Sequence, residues 1–159
     1  MKFSIIEKKI GKKAKIYTIL FESKELDEYD DFVFNHMEKV PDAVRTLDKQ
    51  LKGMACKYGF QDFNFKRESP TTHNVFRIED TDANLRLYCI RYSNVAIVLG
   101  NGGIKLDGTQ RNDENPHLQK EIDFLMLVED LINKRILLRE VKISDTSLSG
   151  NLEFEINIK

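Results

Sequence analysis

The chain has no tryptophan, three prolines, two cysteines and three histidines among its 159 residues. Each scarcity excludes something. Without tryptophan, a core must be led by the ten phenylalanines together with leucine and isoleucine. Cys56 and Cys89 stand far apart and form no CxxC. They read as reduced structural thiols, Cys56 on a helix and Cys89 in a strand. His36, His73 and His117 show no ligand spacing with one another or with the cysteines, so no metal site is expected. No apolar run approaches the length of a membrane span, and charge at Lys2, Glu7, Lys8 and Lys9 interrupts any signal-type apolar region. The expected location is the cytoplasm, without membrane contact.

Charge of one sign is lacking too. The net charge is −1 and the pI near 6.3, which argues against a general nucleic-acid binder. The distribution is less even than the total. Lys2, Lys8, Lys9, Lys12, Lys13 and Lys15 make the N-terminus basic, and Glu25, Asp27, Glu28, Asp30 and Asp31 follow as an acidic run. A solvated hairpin tip beside a helix with a favourable acidic first turn explains this pattern, and a phosphate-touching basic patch is the sharper alternative.

What is present is a length and composition fit for one domain, residues 1–159, with 41% hydrophobic and 32% charged residues. Phe3 to Ile10 and Lys15 to Glu22 read as a hairpin around Gly11. Leu26, Tyr29, Phe32, Val33 and Met37 predict a helix from Glu25 to about Met37, with Ser23 as its N-cap. Val44, Leu47, Leu51, Met54, Ala55 and Tyr58 form an apolar stripe on a second helix after Pro41, which ends before Gly59. The short connection predicts an antiparallel helical hairpin. Phe60, Phe63 and Phe65 suit a short edge strand, and Lys66 to Thr72 a loop.

Val75–Glu79, Leu85–Tyr92 and Val95–Leu99 then form a strand meander, the centre of an antiparallel sheet. Alternation puts Leu85, Leu87, Cys89 and Arg91 on one face of the middle strand, with Arg86, Tyr88, Ile90 and Tyr92 on the other. Gly100-Asn-Gly-Gly103 lacks the GK[ST] ending of a phosphate loop and reads as a bulge or kinked strand end. Asp107 to Asn115 is polar and turn-rich. Asn115 and Pro116 start a helix to about Lys134, expected to be buried on two sides or to bury one side in a partner. Ile136–Ile143 and Leu152–Ile158 read as a closing strand pair. The fold class is therefore α+β: an antiparallel central sheet, an N-terminal helical hairpin on one face, a C-terminal helix and a C-terminal strand pair.

No serine, cysteine or paired carboxylate stands in a recognisable catalytic setting. The basic residues of the meander are the stronger candidates. Arg77, Arg86, Arg91 and Lys105, with Lys66 and Arg67 just upstream, could hold a phosphodiester and stabilise its transition state, and Tyr88 or Tyr92 could stack on a base. The plain alternative is solvent-facing strand arginines paired with Glu79, Asp80 and Asp82.

The segments Val75-Phe-Arg77, Leu85-Arg-Leu-Tyr-Cys-Ile-Arg91 and Val95 to Lys105 resemble the RelE/HigB-type toxins of bacterial toxin–antitoxin pairs. In that family an arginine-bearing strand leads into a hydrophobic strand ending near a lysine, followed by a C-terminal helix. The resemblance implies cleavage of messenger RNA, often on the ribosome, with no metal or other cofactor. It places Arg77, Arg86 and Lys105 in the catalytic role, with Lys66, Arg67, Tyr88 and Arg91 as RNA contacts. Its partners would be a neutralising antitoxin, messenger RNA or the ribosome, and a second copy of the chain. The competing expectation is a non-enzymatic interaction module on the same fold, using the helix from Pro116 to Lys134 and the acidic helix face.

Overall fold

The computed structural model describes residues 1–8, 10–94, 96–106, 115–144 and 147–157. Val95, Ile158 and the polar segment 107–114, all part of the sequence expectations, lie outside these residues. Among the described residues the fold is mixed α+β, with three helices, a mostly antiparallel seven-stranded sheet and a separate two-stranded sheet.

The hairpin is β1 (Lys2–Lys8) and β2 (Lys15–Phe21), paired in register from Phe3↔Phe21 to Lys8↔Ile16. Then follow α1 (Glu28–Met37), α2 (Pro41–Gly53), a π-helical turn (Met54–Tyr58) and a 3₁₀ turn (Asp62–Asn64). The short β3 (Lys66–Arg67), β4 (Val75–Asp80), β5 (Leu85–Tyr92) and β6 (Ala96–Ile104) continue the chain. It closes with α3 (Pro116–Leu137), β7 (Val141–Ile143), β8 (Leu148–Gly150) and β9 (Glu153–Glu155). The large sheet has the order β3-β4-β5-β6-β2-β1-β9, and β7 pairs only with β8. All its pairings are antiparallel except β2 with β6.

Strand alternation sends alternate side chains of this sheet into two cores. On one face Ile16, Ile78, Leu85, Leu87, Cys89, Ile97 and Leu99 join Phe32 of α1 and Leu47 and Leu51 of α2. On the other, Tyr17, Ile19, Val75, Tyr88, Ile90 and Val98 meet Leu118, Ile122, Leu125, Val128 and Ile132 of α3. Both faces are thus covered. Each fully buried leucine or isoleucine contributes about 1.5–3 kcal/mol of apolar burial.

Local chemistry moves several boundaries. Asp27, not Ser23, caps α1, because its carboxylate accepts the Asp30 amide hydrogen at 2.9 Å. The stripe on α2 is regular only to Gly53. The wider π turn carries Tyr58 out of the buried face, leaving it 65% exposed. Gly59 then takes φ 71°, as a residue ending a helix in this way requires. The edge strand is Lys66–Arg67 rather than the Phe60–Phe65 segment; Phe60 and Phe65 are buried and Phe63 is exposed. Ile136, one turn beyond Ile132, packs against the same core and prolongs α3 to Leu137, where a strand was expected. Among the described residues of the last predicted strand, Glu153–Glu155 form the ladder with β1.

Candidate functional site

The strand register decides which basic residues can act together. Lys66 lies opposite Arg77, and Arg77 opposite Tyr88, so all three share a sheet face. Glu79 opposes Arg86 on that face. It is the face packed by α3, because Tyr88 and Ile90 belong to that core. Arg67 opposes Phe76 and Arg91 opposes Ile97, which places both on the other face. The Arg91 guanidinium lies 4.7 Å from the Phe65 ring centre and pairs with Asp62 at 2.8 Å. Arg67 stacks on Phe76 and donates hydrogen bonds to the carbonyls of Pro70 and His73. Arg67 and Arg91 therefore do not join the Arg77–Arg86 group.

That group is a compact ion network. Arg77 donates to Glu68 through Nη1 and to Glu79 through Nε, the latter at 3.0 Å. Arg86 Nη1 donates to the same Glu68 oxygen at 3.4 Å, and its Nε lies 3.8 Å from Glu79. Lys66 reaches Glu79 at 2.6 Å. The Glu68, Arg86 and Arg77 side chains are only 4%, 10% and 18% exposed. Burial by itself would lower the Arg77 pKa, but the hydrogen bonds and charges of Glu68 and Glu79 outweigh it and raise it. Burial would likewise raise Glu79, and Lys66 and Arg77 overcome that and lower it. Tyr88 is fully buried, so it presents no ring face for a base to stack on, and its hydroxyl has no hydrogen-bond partner among the described residues. Burial and then Glu68 push that phenol up to about 12, against the pull of Arg86.

The end of β6 borders this network. Between Leu87 and Cys89 of β5 the register shifts, so Tyr88 faces the two residues Gly100 and Asn101: the expected bulge. Gly102 opposes Leu87 beyond it, and a Cβ there would stand 1.9 Å from the Arg86 carbonyl oxygen. Gly103 opposes Arg86 and admits His117 of α3, whose Nε2 lies 3.0 Å from the Ile104 carbonyl. Lys105 follows, its amide donating to the Asn84 carbonyl at 2.8 Å. Its side chain makes no ion pair among the described residues.

No local pattern marks the parallel pair β2/β6, which runs from Lys15↔Ala96 to Thr18↔Leu99 in a sheet expected to be antiparallel throughout. β2 leads to α1 on one face and β6 leads towards α3 on the other, so the strand ends form a split of the kind that often houses ligands. Here side chains fill it. Asn101 Nδ2 donates to Glu28 at 3.0 Å and to Asp31 at 2.9 Å, and Glu121 of α3 lies nearby. Burial, then the Glu28 charge, raise the Glu121 carboxyl to about 7. No local motif marks this cluster, since its members come from three distant segments. Glu68 was also missed, because it sits in what reads as a loop.

Among the described residues no group of histidine, cysteine, aspartate and glutamate is arranged to hold a metal ion, and no helix is long and apolar enough to cross a membrane. No protein-family model, curated protein or solved structure matches the chain.

Proposed function

We propose that the chain is the toxin of a toxin–antitoxin pair on a RelE/HigB-like fold and acts on messenger RNA as a metal-independent endoribonuclease. The observation that carries this reading is the convergence of Arg77 and Arg86, from adjacent strands, on one carboxylate oxygen of Glu68. Two guanidinium groups gripping one anionic oxygen are the arrangement that holds a phosphodiester and stabilises charge building on it. On this reading an RNA phosphate displaces Glu68, and Lys105, just past the end of β6, supplies a further cation. Lys66, exposed on the edge strand and opposite Arg77, meets the RNA backbone beside it, whereas Arg67 faces the other side of the sheet.

A second reading, a non-enzymatic interaction module, is favoured by a different observation. Glu68 and Glu79 already neutralise both arginines, in a site largely closed to solvent. The two readings part on Lys105→Ala, which removes a cation without breaking an ion pair. Under the toxin reading, expression of the native chain arrests growth and RNA is cut on added ribosomes, while Lys105→Ala loses both effects with unchanged melting temperature. Normal growth and intact RNA with the native chain would overturn it.

A further inference from the structure

We infer that the groove between the end of α2, the π turn and the 3₁₀ turn docks an acidic, amphipathic segment of a partner protein. The groove has a volume of about 570 Å³. Met54, Tyr58 and Phe63 give it an apolar lining, with Tyr58 65% and Phe63 84% exposed. Large aromatic side chains left in water beside a concave apolar wall are the usual anchors of a protein interface. Their exposure follows from the backbone. The π turn swings Tyr58 off the buried stripe and over Gly53, where a Cβ would come within 3.3 Å of the ring.

The charged side chains that line the groove are all basic. Lys49, Lys52 and Lys57 line its rim. The hairpin tip adds Lys12 and Lys13, since the Lys13 amide donates to the Ala55 carbonyl at 2.7 Å and Cys56 Sγ approaches the Ile10 carbonyl. Lys52 pairs with Asp48 at 2.8 Å, whereas Lys12, Lys13, Lys49 and Lys57 make no ion pair among the described residues. In a chain of net charge −1, this is a local concentration of uncompensated cations. An acidic helix with one apolar face answers both features, its side chains filling the groove and its carboxylates meeting the lysines. Single-stranded nucleic acid fits less well, because no arginine lines the groove and its wall is mainly apolar rather than a polar track for phosphates. This inference stands apart from the arginine network, which lies elsewhere on the sheet.

The test titrates isotope-labelled full chain with a synthetic helical peptide carrying leucines on one face and glutamates on the other, followed by NMR. Amide shifts confined to residues around Lys49–Lys57 and Phe63 are expected. Binding should weaken at least about tenfold in the double variant Lys49→Glu/Lys57→Glu and in Tyr58→Ala. All three positions are exposed, so melting temperatures should stay unchanged. Absence of shifts, shifts outside the groove, groove shifts with oligouridylate in place of the peptide, or self-association of the chain through this face would each overturn the inference.

Discussion

Arg77 donates to Glu68 within a network that ties a two-residue edge strand into the sheet, and the same Glu68 oxygen also accepts from Arg86. Glu68 is 4% exposed as a side chain, so its carboxylate has left bulk water and depends on the two guanidiniums. Removing it takes away one of the two carboxylates, Glu68 and Glu79, that these largely buried cations share. Breaking a buried pair from one side costs about 3 kcal/mol, far more than a surface pair is worth. Glu68→Ala should therefore lower the urea-unfolding free energy by about that amount. A loss under about 0.5 kcal/mol would show that water penetrates the network.

The strands and the two faces of β5 were legible because alternation is local: Leu85, Leu87 and Cys89 against Tyr88, Ile90 and Tyr92 can be sorted by parity alone. The same parity separated Arg86 from Arg91. It could not align one strand with another, so Arg77 with Arg86 and the exclusion of Arg67 emerge only from the register. The Glu68 contact depends on how the chain turns after β3, and the Glu28–Asp31–Asn101–Glu121 cluster on a parallel pairing between distant strands. Neither leaves a trace in local periodicity. Tyr58 misled for a different reason: it keeps helical spacing in sequence, and a π turn breaks that spacing in space.

Glu121 makes a pH-dependent contribution of definite sign. Its carboxyl is raised from 4.5 to about 7, chiefly by burial and then by Glu28. A raised folded pKa means the folded state holds the proton more firmly. The associated stability is full below about pH 4.5 and is lost as pH rises through 7. Discounted for the part of the side chain still in water, the loss is about 1–2 kcal/mol. Glu121→Gln should flatten this fall and unfold at higher urea than the native chain at pH 8. Parallel pH profiles for the two proteins would show that Glu121 titrates normally.

The thiols should separate cleanly by reactivity. Cys89 is fully buried, and burial pushes its thiol up to about 12, whereas Cys56 is exposed beside the groove. The thiolate is the reacting form, so one equivalent of an aromatic disulfide reagent should react in the native protein. The second should react only in denaturant. Two fast equivalents under native conditions would mean that the core around β5 opens readily.

Two glycines should lose stability to alanine by different routes and in different places, although either substitution adds only one methyl group. At Gly102 the new Cβ would stand 1.9 Å from the Arg86 carbonyl oxygen and 2.9 Å from its carbon. These are backbone atoms held in the β5–β6 ladder, so no side chain can swing aside, and the strands must part where the bulge re-registers them. A forced shift in a packed interior costs about 1–3 kcal/mol, and here the adjoining Arg86 network would move as well. Gly59 has nothing within 4 Å of the added methyl, and only its φ of 71° opposes the change. A left-handed alanine costs about 1–2 kcal/mol. Gly102→Ala should thus lose the larger share of stability and weaken amide protection in Arg86 and Leu87, as read by hydrogen exchange. Gly59→Ala should lower the melting temperature modestly and leave β5 protection intact. Equal loss of β5 protection in both would show that the bulge does not depend on the close approach at Gly102.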